Sequence, residues 1–289
     1  MSAQTRNGKG AVVGVDLGGT NVRTGKVLGQ EILSSRSRGI SGQAAQEKVI
    51  AEIMETIDAV FDGPIVGIGI GVPSLVDVER GIVYTVENIP SWREVPLKDI
   101  LEKRYSVPVY VNNDANCFAL GEFYYGQGRG YRHLVGMVVG TGLGAGIIVN
   151  GKLYCGRNCG AGEIGTIPYR EHTVEYYCSG QFFKHRYGIG GAILFERAQK
   201  GEADALAMFA EFGTNFGHAV MTALYAYDPE IIVLGGSVSR AFSFFAPAMR
   251  DKLRDFAYPH ALERLAITAT QRPEIAILGA AALYFDARA

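Results

Sequence analysis

The sequence predicts an α/β protein with two domains, each built on a mixed sheet, around a central cleft. Three observations support this prediction. The chain has 289 residues, enough for two domains or one large one. Two segments, 11–27 and 133–153, share the order strand, glycine-rich turn, strand that is typical of a β-hairpin. Each is followed by alternating strand and helix patterns, which indicate α/β domains.

The first half of the chain predicts a hairpin, a helix and two buried strands. In 11–27 a β-branched run enters the turn and a second apolar run leaves it. Apolar residues recur at helical spacing over 43–61, which predicts a helix. The apolar runs at 64–73 and 107–113 predict buried strands.

The second half opens with the hairpin at 133–153 and then alternates helices with strands. The predicted elements are helix 203–227, strand 230–236, helix 246–256, strand 265–270 and a closing helix at 277–286. We expect the last helix to belong with the first domain. The predicted domains are therefore 1–117 together with 277–289, and 118–276.

Composition narrows the class of protein. Lys and Arg number 28 against 29 Asp and Glu, so a net charge of -1 gives no general attraction to nucleic acid or acidic lipid. The N-terminus is polar and its first apolar run is too short for a signal peptide or a membrane span, so we expect a cytoplasmic protein. The four cysteines form no CxxC pair, which favours reduced thiols. The 38 glycines are expected to lie in turns.

Two glycine-rich turns are candidate phosphate sites, namely Gly18, Gly19 and Thr20 in the first hairpin and Gly140, Thr141 and Gly142 in the second. The segment 140–146 is no dinucleotide fingerprint, because a strand rather than a helix follows it. Exposed backbone N–H groups and Thr hydroxyls could instead hold phosphates, although glycine also simply permits tight hairpins. Asp16, just before the first turn, could accompany Mg²⁺ or could form an Asx turn.

Other polar residues could contact a polyol or a nucleotide. Asn112, Asn113, Asp114 and Asn116 follow a strand, where one of them would suffice to cap the next helix. Glu163 and Glu175 lie among small or apolar neighbours, so burial would require a partner such as sugar hydroxyls or an Arg. The turn containing Gly235 and Gly236 could admit a base and ribose, or only connect a strand to a helix.

Five of these segments together resemble the ROK family of sugar kinases, from about Val12 to Ala282. The matching motifs are DLGGT at 16–20, NDAN at 113–116, GTGLGAG at 140–146, GEIG at 162–165 and GGSVS at 235–239. The resemblance implies two ribonuclease-H-like domains of the actin-like ATPase type, with ATP in the cleft. It implies transfer of the ATP γ-phosphate to a hexose hydroxyl, with Mg²⁺ and in a homodimer.

Residue roles implied by the resemblance follow the motifs. Asp114 resembles the catalytic base, and Asn88, Asn113, Glu163 and Glu175 resemble the sugar contacts. The turns at 18–20 and 140–142, with Gly235 and Gly236, would bind ATP, and Asp16 would meet Mg²⁺, directly or through water. An aspartate with a pKa near 3.9 accepts an alcohol proton only late, so positioning and charge neutralisation dominate the reaction.

The sequence departs from the family pattern at three places near the sugar site. Thr166 stands where the family has a histidine, and the family's CxCGxxGC zinc loop is absent, so no zinc is expected. Cys155, Cys159 and His172 could form a substitute metal site, although buried free thiols are the favoured interpretation. Ser74 follows Pro73 where the family commonly has glycine, and with Thr166 it puts the identity of the hexose in doubt.

Three other functions compete with a kinase. A ROK-type repressor is disfavoured because the 15 residues before Asp16 leave no room for a helix-turn-helix domain. A sugar-binding pseudokinase is suggested by Thr166 and the missing loop but disfavoured by the retained Asp16, Asp114 and phosphate turns. An acyl kinase of the same superfamily is less favoured, because the Asn and Glu set suits a polyol acceptor.

Overall fold

The structure is a computed structural model and describes residues 10–288. These residues divide into two compact units. The first comprises 10–130, 152–161 and 272–288, and the second comprises 131–151 and 162–271. The units divide at other residues than the predicted domains, 1–117 with 277–289 and 118–276, which stay a prediction. Both units combine helices with a mixed sheet, so the predicted α/β class is confirmed.

The first unit is built on a five-stranded mixed sheet in the order β3-β2-β1-β4-β8. Its first eight strands are β1 (Ala11–Leu17), β2 (Asn21–Leu28), β3 (Glu31–Gly39), β4 (Ile65–Val72), β5 (Val76–Asp77), β6 (Ile82–Val83), β7 (Val95–Pro96) and β8 (Val109–Asn113). Strands β1, β2 and β3 pair antiparallel, whereas β4 is parallel to both β1 and β8. The predicted first hairpin and both buried strands are therefore present.

Four long helices cover this sheet: α1 (Gln46–Asp58), α2 (Leu97–Tyr105), α3 (Asp114–Tyr125) and α10 (Ile275–Asp286). Helix α10 packs directly on β1 and β4, where a Cβ on Gly14 would lie 2.1 Å from the Ile277 carbonyl oxygen and one on Gly69 1.8 Å from that of Ala280. These glycines lie within strands, so the expectation that the glycines occupy turns was wrong for them. Glycine is required at both positions because the backbone of α10 packs directly against the backbone of these strands.

The second unit repeats the arrangement with strands in the order β10-β9-β14-β15. Its strands are β9 (Leu134–Val139), β10 (Leu143–Val149), β12 (Pro168–Tyr169), β13 (His172–Thr173), β14 (Ile231–Gly235) and β15 (Ala266–Ala269), whereas β11 (Lys152–Leu153) belongs to the first unit. β9 and β10 form the predicted antiparallel hairpin, and β14 runs parallel to β9 and β15.

The helices of the second unit are α4 (Val174–Cys178), α5 (Gln181–Tyr187), α6 (Gly191–Gln199), α7 (Ala203–Tyr227), α8 (Phe242–Lys252) and α9 (Pro259–Leu262). Helix α7 matches its prediction, while α8 begins and ends four residues before the predicted 246–256. The core between α5, α7 and α8 is rich in Phe, with Phe183, Phe209, Phe212 and Phe245 all buried. Within 10–288 no helix is long and apolar enough to cross a membrane.

Candidate active site

The first candidate phosphate turn joins β1 to β2. It is closed by the Gly18 N–H, which donates to the Asn21 carbonyl oxygen at 2.8 Å. Asp16 is the penultimate residue of β1, and Arg23 of β2 donates to its Oδ2 through Nε at 2.9 Å and through Nη2 at 2.5 Å. The predicted Asp16, Gly18, Gly19 and Thr20 therefore form one short turn, in which the carboxylate is already held by a guanidinium.

Asn88 lies against this turn although it is far away in sequence. A Cβ on Gly19 would approach the Asn88 side-chain nitrogen to 2.5 Å, so the glycine leaves room for the amide. Asn88 itself is exposed. The predicted sugar contact Asn88 and the predicted phosphate turn are thus neighbours within the first unit.

Asp114 lies at the same edge of the sheet, where β8 runs into α3. The cap of α3 is Asn113, whose Oδ1 accepts from the backbone N–H groups of Ala115 at 2.9 Å and Asn116 at 3.3 Å. Asn113 also donates from Nδ2 to the Ser74 carbonyl oxygen at 3.3 Å. Asp114 is half-buried, and its Oδ1 accepts from the Ala115 N–H at 2.9 Å. The capping role, which could have explained Asp114, therefore belongs mainly to Asn113.

Strand register places Asp16 and the residues just before Asp114 at the same edge of the sheet. Asp16 of β1 pairs with Gly71 of β4, and Gly71 pairs with Asn112 of β8. Since neighbouring strands lie about 4.8 Å apart, the backbones of Asp16 and Asn112 are about 10 Å apart. The carboxyl ends of parallel strands are where α/β proteins bind ligands. Ser74 is just past the end of β4, and its hydroxyl donates to the Thr85 carbonyl oxygen at 2.8 Å.

The second candidate phosphate turn joins β9 to β10. The Gly140 N–H donates to the Gly142 carbonyl oxygen at 2.9 Å, and the Gly140 carbonyl oxygen accepts from the Gly180 N–H at 2.8 Å. The side chain of Gln181 donates to the Thr141 carbonyl oxygen at 3.2 Å. The turn is therefore tied to the start of α5.

Gly140 and Thr141 open onto a cavity of about 720 Å³ within the second unit. Its walls come from α5, α6, α7 and the turn after β14. Phe183, Phe195 and Phe209 supply apolar surface, and Lys184 and Arg240 supply positive charge. Apolar walls with a few polar groups are typical of small-ligand sites, and the volume is large enough for a nucleotide.

Gly235 and Gly236 shape this cavity without lining it. Gly236 has a φ of 82°, and a Cβ there would lie 2.3 Å from the Val139 carbonyl oxygen, so only glycine fits. Ser239 donates to the Gly236 carbonyl oxygen at 2.8 Å. The cavity wall is instead formed by the next residues, from 237 onward.

The two acids of the second unit differ from the sequence expectation. Glu163 is exposed and Glu175 is half-buried, so neither occupies the fully buried position for which a partner such as an Arg was considered. Glu175 Oε2 accepts from the Leu143 N–H at 2.7 Å and lies beside Gly142. Desolvation of its carboxyl raises the pKa of Glu163, and the charge of Glu175 raises it further. Thr166 is exposed and donates to the Glu163 carbonyl oxygen at 2.8 Å.

Gly18 and Gly140 are glycines that the fold itself does not require. Neither has a positive φ. A Cβ on Gly140 would meet nothing within 4 Å, and one on Gly18 only the Asn21 carbonyl oxygen at 3.4 Å. Gly142 differs, because a Cβ there would lie 2.4 Å from Glu175 Oε2. The N–H groups of Gly18 and Gly140 are bonded within their own turns, but the space beside both Cα atoms is open, so a ligand can approach the turn backbone there.

The suggested substitute metal site finds no support in the described residues. Within 10–288 no group of three or more His, Cys, Asp or Glu side chains is arranged to hold a metal ion. His172 belongs to the second unit, where its ring stacks on Tyr176 at 3.9 Å between centroids. Cys155 and Cys159 belong to the first unit and are free thiols.

The predicted site residues thus fall into two groups, one in each unit. The first contains Asp16, Gly18, Gly19, Thr20, Ser74, Asn88, Asn113 and Asp114, and the second contains Gly140, Thr141, Gly142, Glu163, Thr166, Glu175, Gly235 and Gly236. Sequence reasoning missed Gln181, Lys184, Glu196, Gln199 and Arg240 in the cavity wall. The glycine pair at 190–191, which also lines the cavity, was the pattern that could have indicated this region.

Comparison with known proteins identifies relatives across almost the whole chain. The model of the ROK family matches residues 12–287. The glucokinase of Thermotoga maritima is 32% identical, covering 94% of this chain and 96% of the relative. The xylose repressor of Caldicellulosiruptor bescii is 28% identical, covering 87% and 71%. The structure of a ROK family glucokinase from Streptomyces griseus with glucose and AMPPNP has a TM-score of 0.82 at 29% identity, covering 95% and 99%.

Proposed function

The chain belongs to the ROK family, and on that premise we propose that it is an ATP-dependent sugar kinase that phosphorylates a hexose hydroxyl. The similarity to a glucokinase over 94% of the chain supports a sugar as substrate. The similarity to a structure with glucose and AMPPNP supports a nucleotide triphosphate as donor. The actin-like ATPase fold that this chain shares with the ROK glucokinases is compatible with both.

The observation that carries the proposal is the environment of Asp114. Asn113 already satisfies the first N–H groups of α3, so the cap does not depend on the Asp114 side chain. Its half-buried carboxylate lies at the carboxyl edge of the sheet, two residues after Asn112, which is in the same strand row as Asp16. We assign it the role of accepting the proton of the attacking hydroxyl, late in the transfer.

Phosphate positioning is assigned to the two hairpin turns. The missing side chains at Gly18 and Gly140 leave open space beside each turn, so a phosphate oxygen could approach the turn backbone. The cavity beside Gly140 suits the base and ribose, with Lys184 and Arg240 available to the polar groups. Because catalysis of phosphoryl transfer is mainly positioning and charge neutralisation, fixed turns contribute most of what the protein must supply.

Magnesium is proposed as the metal of this site, on the chemistry of Asp16. Both Arg23 hydrogen bonds end on Oδ2, so Oδ1 remains the carboxylate oxygen suited to a hydrated Mg²⁺. When bound, the ion would neutralise charge on the ATP phosphates. Arg23 orients the carboxylate for this role.

Sugar recognition is assigned to Asn88, Asn113, Glu163 and Glu175, with Thr166 and Ser74 adjusting selectivity. Amides and carboxylates together offer donors and acceptors, as vicinal hydroxyls require. Each unmatched hydroxyl would change selectivity by about 1–3 kcal/mol. The hydroxyls of Thr166 and Ser74 already donate to carbonyl oxygens, so toward the sugar they act as acceptors.

A coupled ADP-release assay against a panel of hexoses and N-acetylhexosamines tests the proposal. We expect ATP- and Mg²⁺-dependent turnover with at least one hexose, at least 100-fold reduced by Asp114→Asn. Sugar binding without turnover would indicate a sugar-binding pseudokinase or regulator, an alternative that the similarity to a xylose repressor supports. The homodimer and a cytoplasmic location also remain proposals, to be tested by light scattering and cell fractionation.

A further inference from the structure

A pair of thiols lies directly beneath the Asp114 turn. The Sγ atoms of Cys155 and Cys159 lie 3.8 Å and 3.2 Å from the same Asn112 Oδ1. Asn116 Nδ2 donates to both, at 3.7 Å and 3.5 Å. The two sulfurs therefore share both of their amide partners, Asn112 and Asn116, which flank Asp114 in sequence.

The loop that carries the pair is strained and accessible on one side. Cys159 has a φ of 57°, a left-handed conformation that is unfavourable for a side chain with a Cβ. Cys159 is buried whereas Cys155 is half-buried, between exposed Tyr154 and exposed Gly156. The strain holds the buried sulfur beneath the turn, while a small oxidant can approach through the side of Cys155.

The surroundings of Cys159 favour its thiolate. The hydrogen bond from Cys155 lowers the pKa of Cys159 to about 7, and the backbone N–H groups of Asn113 and Val76 assist it. Of these two residues, Asn113 also caps α3 and directly precedes Asp114. In addition, Asn116 Oδ1 is buried without a hydrogen-bond partner, so the amide network is incompletely satisfied.

We propose that Cys155 and Cys159 are a redox-sensitive modification site, which a hydroperoxide converts into a disulfide that disables the Asp114 turn. The Cys159 thiolate attacks one peroxide oxygen, the O–O bond breaks, and the hydroxide released takes up a proton to give water and a sulfenic acid. The Cys155 thiol then attacks the sulfenic sulfur, the S–O bond breaks and a second water leaves. Two thiols and one hydroperoxide thus yield one disulfide and two waters, when the peroxide is hydrogen peroxide.

The disulfide would change the support of Asp114. A sulfur–sulfur bond is about 2.05 Å long, so the two sulfurs must leave their hydrogen-bonded separation. The thiol hydrogens available to Asn112 are lost at the same time. Asn112 Oδ1 also accepts from the Asn113 N–H at 2.8 Å. A shift of the Asn112 side chain would therefore also displace Asn113, which caps α3. Misplacement of a catalytic group by about 1 Å can reduce turnover by about 100-fold.

The effect on turnover rests on the proposed function, whereas formation of the disulfide does not. The protein is treated with hydrogen peroxide, alkylated and digested with trypsin, which cuts after Arg157 between the two cysteines. We expect peptides 153–157 and 158–170 linked by a bond that dithiothreitol reverses. Hydrogen exchange of 112–116 should be faster after oxidation, and kcat should fall at least tenfold and recover on reduction.

Cysteine variants distinguish an effect of oxidation at Cys155 and Cys159 from an effect of oxidation elsewhere in the protein. Cys155→Ser and Cys159→Ser, each compared with its own reduced form, should lose the peroxide effect on exchange and kcat. Cys155→Ser should accumulate a sulfenic acid at Cys159 that a 1,3-dione reagent labels. Cys178→Ser, at a buried cysteine of the second unit, should respond like the wild type.

Absence of the linked peptides, or linked peptides with unchanged exchange at 112–116, would overturn the inference. If the linked peptides form and exchange becomes faster but kcat is unchanged, the claim that the disulfide lowers turnover would be overturned. Lack of any kinase activity in the reduced protein would instead refute the proposed function, and the peptides and hydrogen exchange would then decide the inference alone.

Discussion

Gly140→Ala tests whether the second hairpin turn binds phosphate or is only a tight connection. The added Cβ would meet nothing within 4 Å, and the residue has no positive φ, so the folded state accepts alanine. We expect the free energy of unfolding to change by no more than about 0.5 kcal/mol, or to rise slightly because alanine restricts the unfolded chain.

The same methyl group should weaken nucleotide binding, because Gly140 borders the 720 Å³ cavity. The Gly140 N–H is bonded within the turn, so a phosphate oxygen passing over Gly140 would accept from another N–H of the turn, about 2.9 Å from its nitrogen, and the added methyl group would block its path. Loss of one charge-assisted hydrogen bond lowers affinity by about 1.5–3 kcal/mol. The Kd for a non-hydrolysable ATP analogue should therefore rise about 10- to 150-fold.

Titration calorimetry measures this Kd without requiring turnover, and thermal unfolding checks the fold. Gly213→Ala is the matched control in the same unit, because its Cβ would lie 2.2 Å from the Phe245 carbonyl oxygen. That variant should lose about 1–3 kcal/mol of stability by overpacking. An unchanged Kd for Gly140→Ala, with unchanged stability, would refute the phosphate role and leave the turn a simple hairpin connection.

Three further predictions concern the other groups. Asp114→Asn should reduce kcat by at least 100-fold, with sugar Kd within threefold, because the amide keeps the shape but accepts no proton; turnover near the wild-type value would exclude Asp114 as the base. Glu163→Gln should raise the Tm at pH 7 and weaken sugar binding. The pKa of Glu163 is raised above its ordinary 4.5 in the folded state. The free energy of unfolding of the wild type therefore falls as the pH increases from 4.5 through the raised pKa. The Tm difference should vanish below pH 4, and a difference that persists there would have another cause. Purified protein should contain far less than one zinc per chain, and a chelator should leave the Tm unchanged; about one zinc per chain by elemental analysis would contradict this.

Much of the fold could be predicted because its patterns are local. Both hairpins and the long helix α7 have periodicities that a short window of sequence contains. The glycines of β1 and β4 were misassigned because their cause is tertiary. Gly14 and Gly69 are needed where α10, more than 200 residues away in sequence, packs on the strands. No local pattern contains that contact.

The candidate site was predicted unevenly for a similar reason. Residues within motifs, such as Asp16 and Asp114, were identified because turn chemistry is visible in a few consecutive residues. The cavity beside Gly140 was missed, because its wall combines α5, α6, α7 and the turn after β14. The small neighbours of Glu163 in sequence left its burial open, and in the structure its side chain is exposed, just before the short helical turn 164–166.

The repeated topology explains why each unit contains one of the two candidate phosphate turns. In both sheets a strand pairs antiparallel with its hairpin partner and parallel with a later strand, β1 with β2 and β4, and β9 with β10 and β14. The hairpin turn therefore lies at the carboxyl edge of the parallel strands in each unit. The other turns at that edge differ in place, because the Asp114 turn follows β8, two strands from β1, whereas the glycine turn at 236 follows β14, the direct neighbour of β9. On the proposed function, the same scaffold would supply a proton acceptor in one unit and a nucleotide cavity in the other.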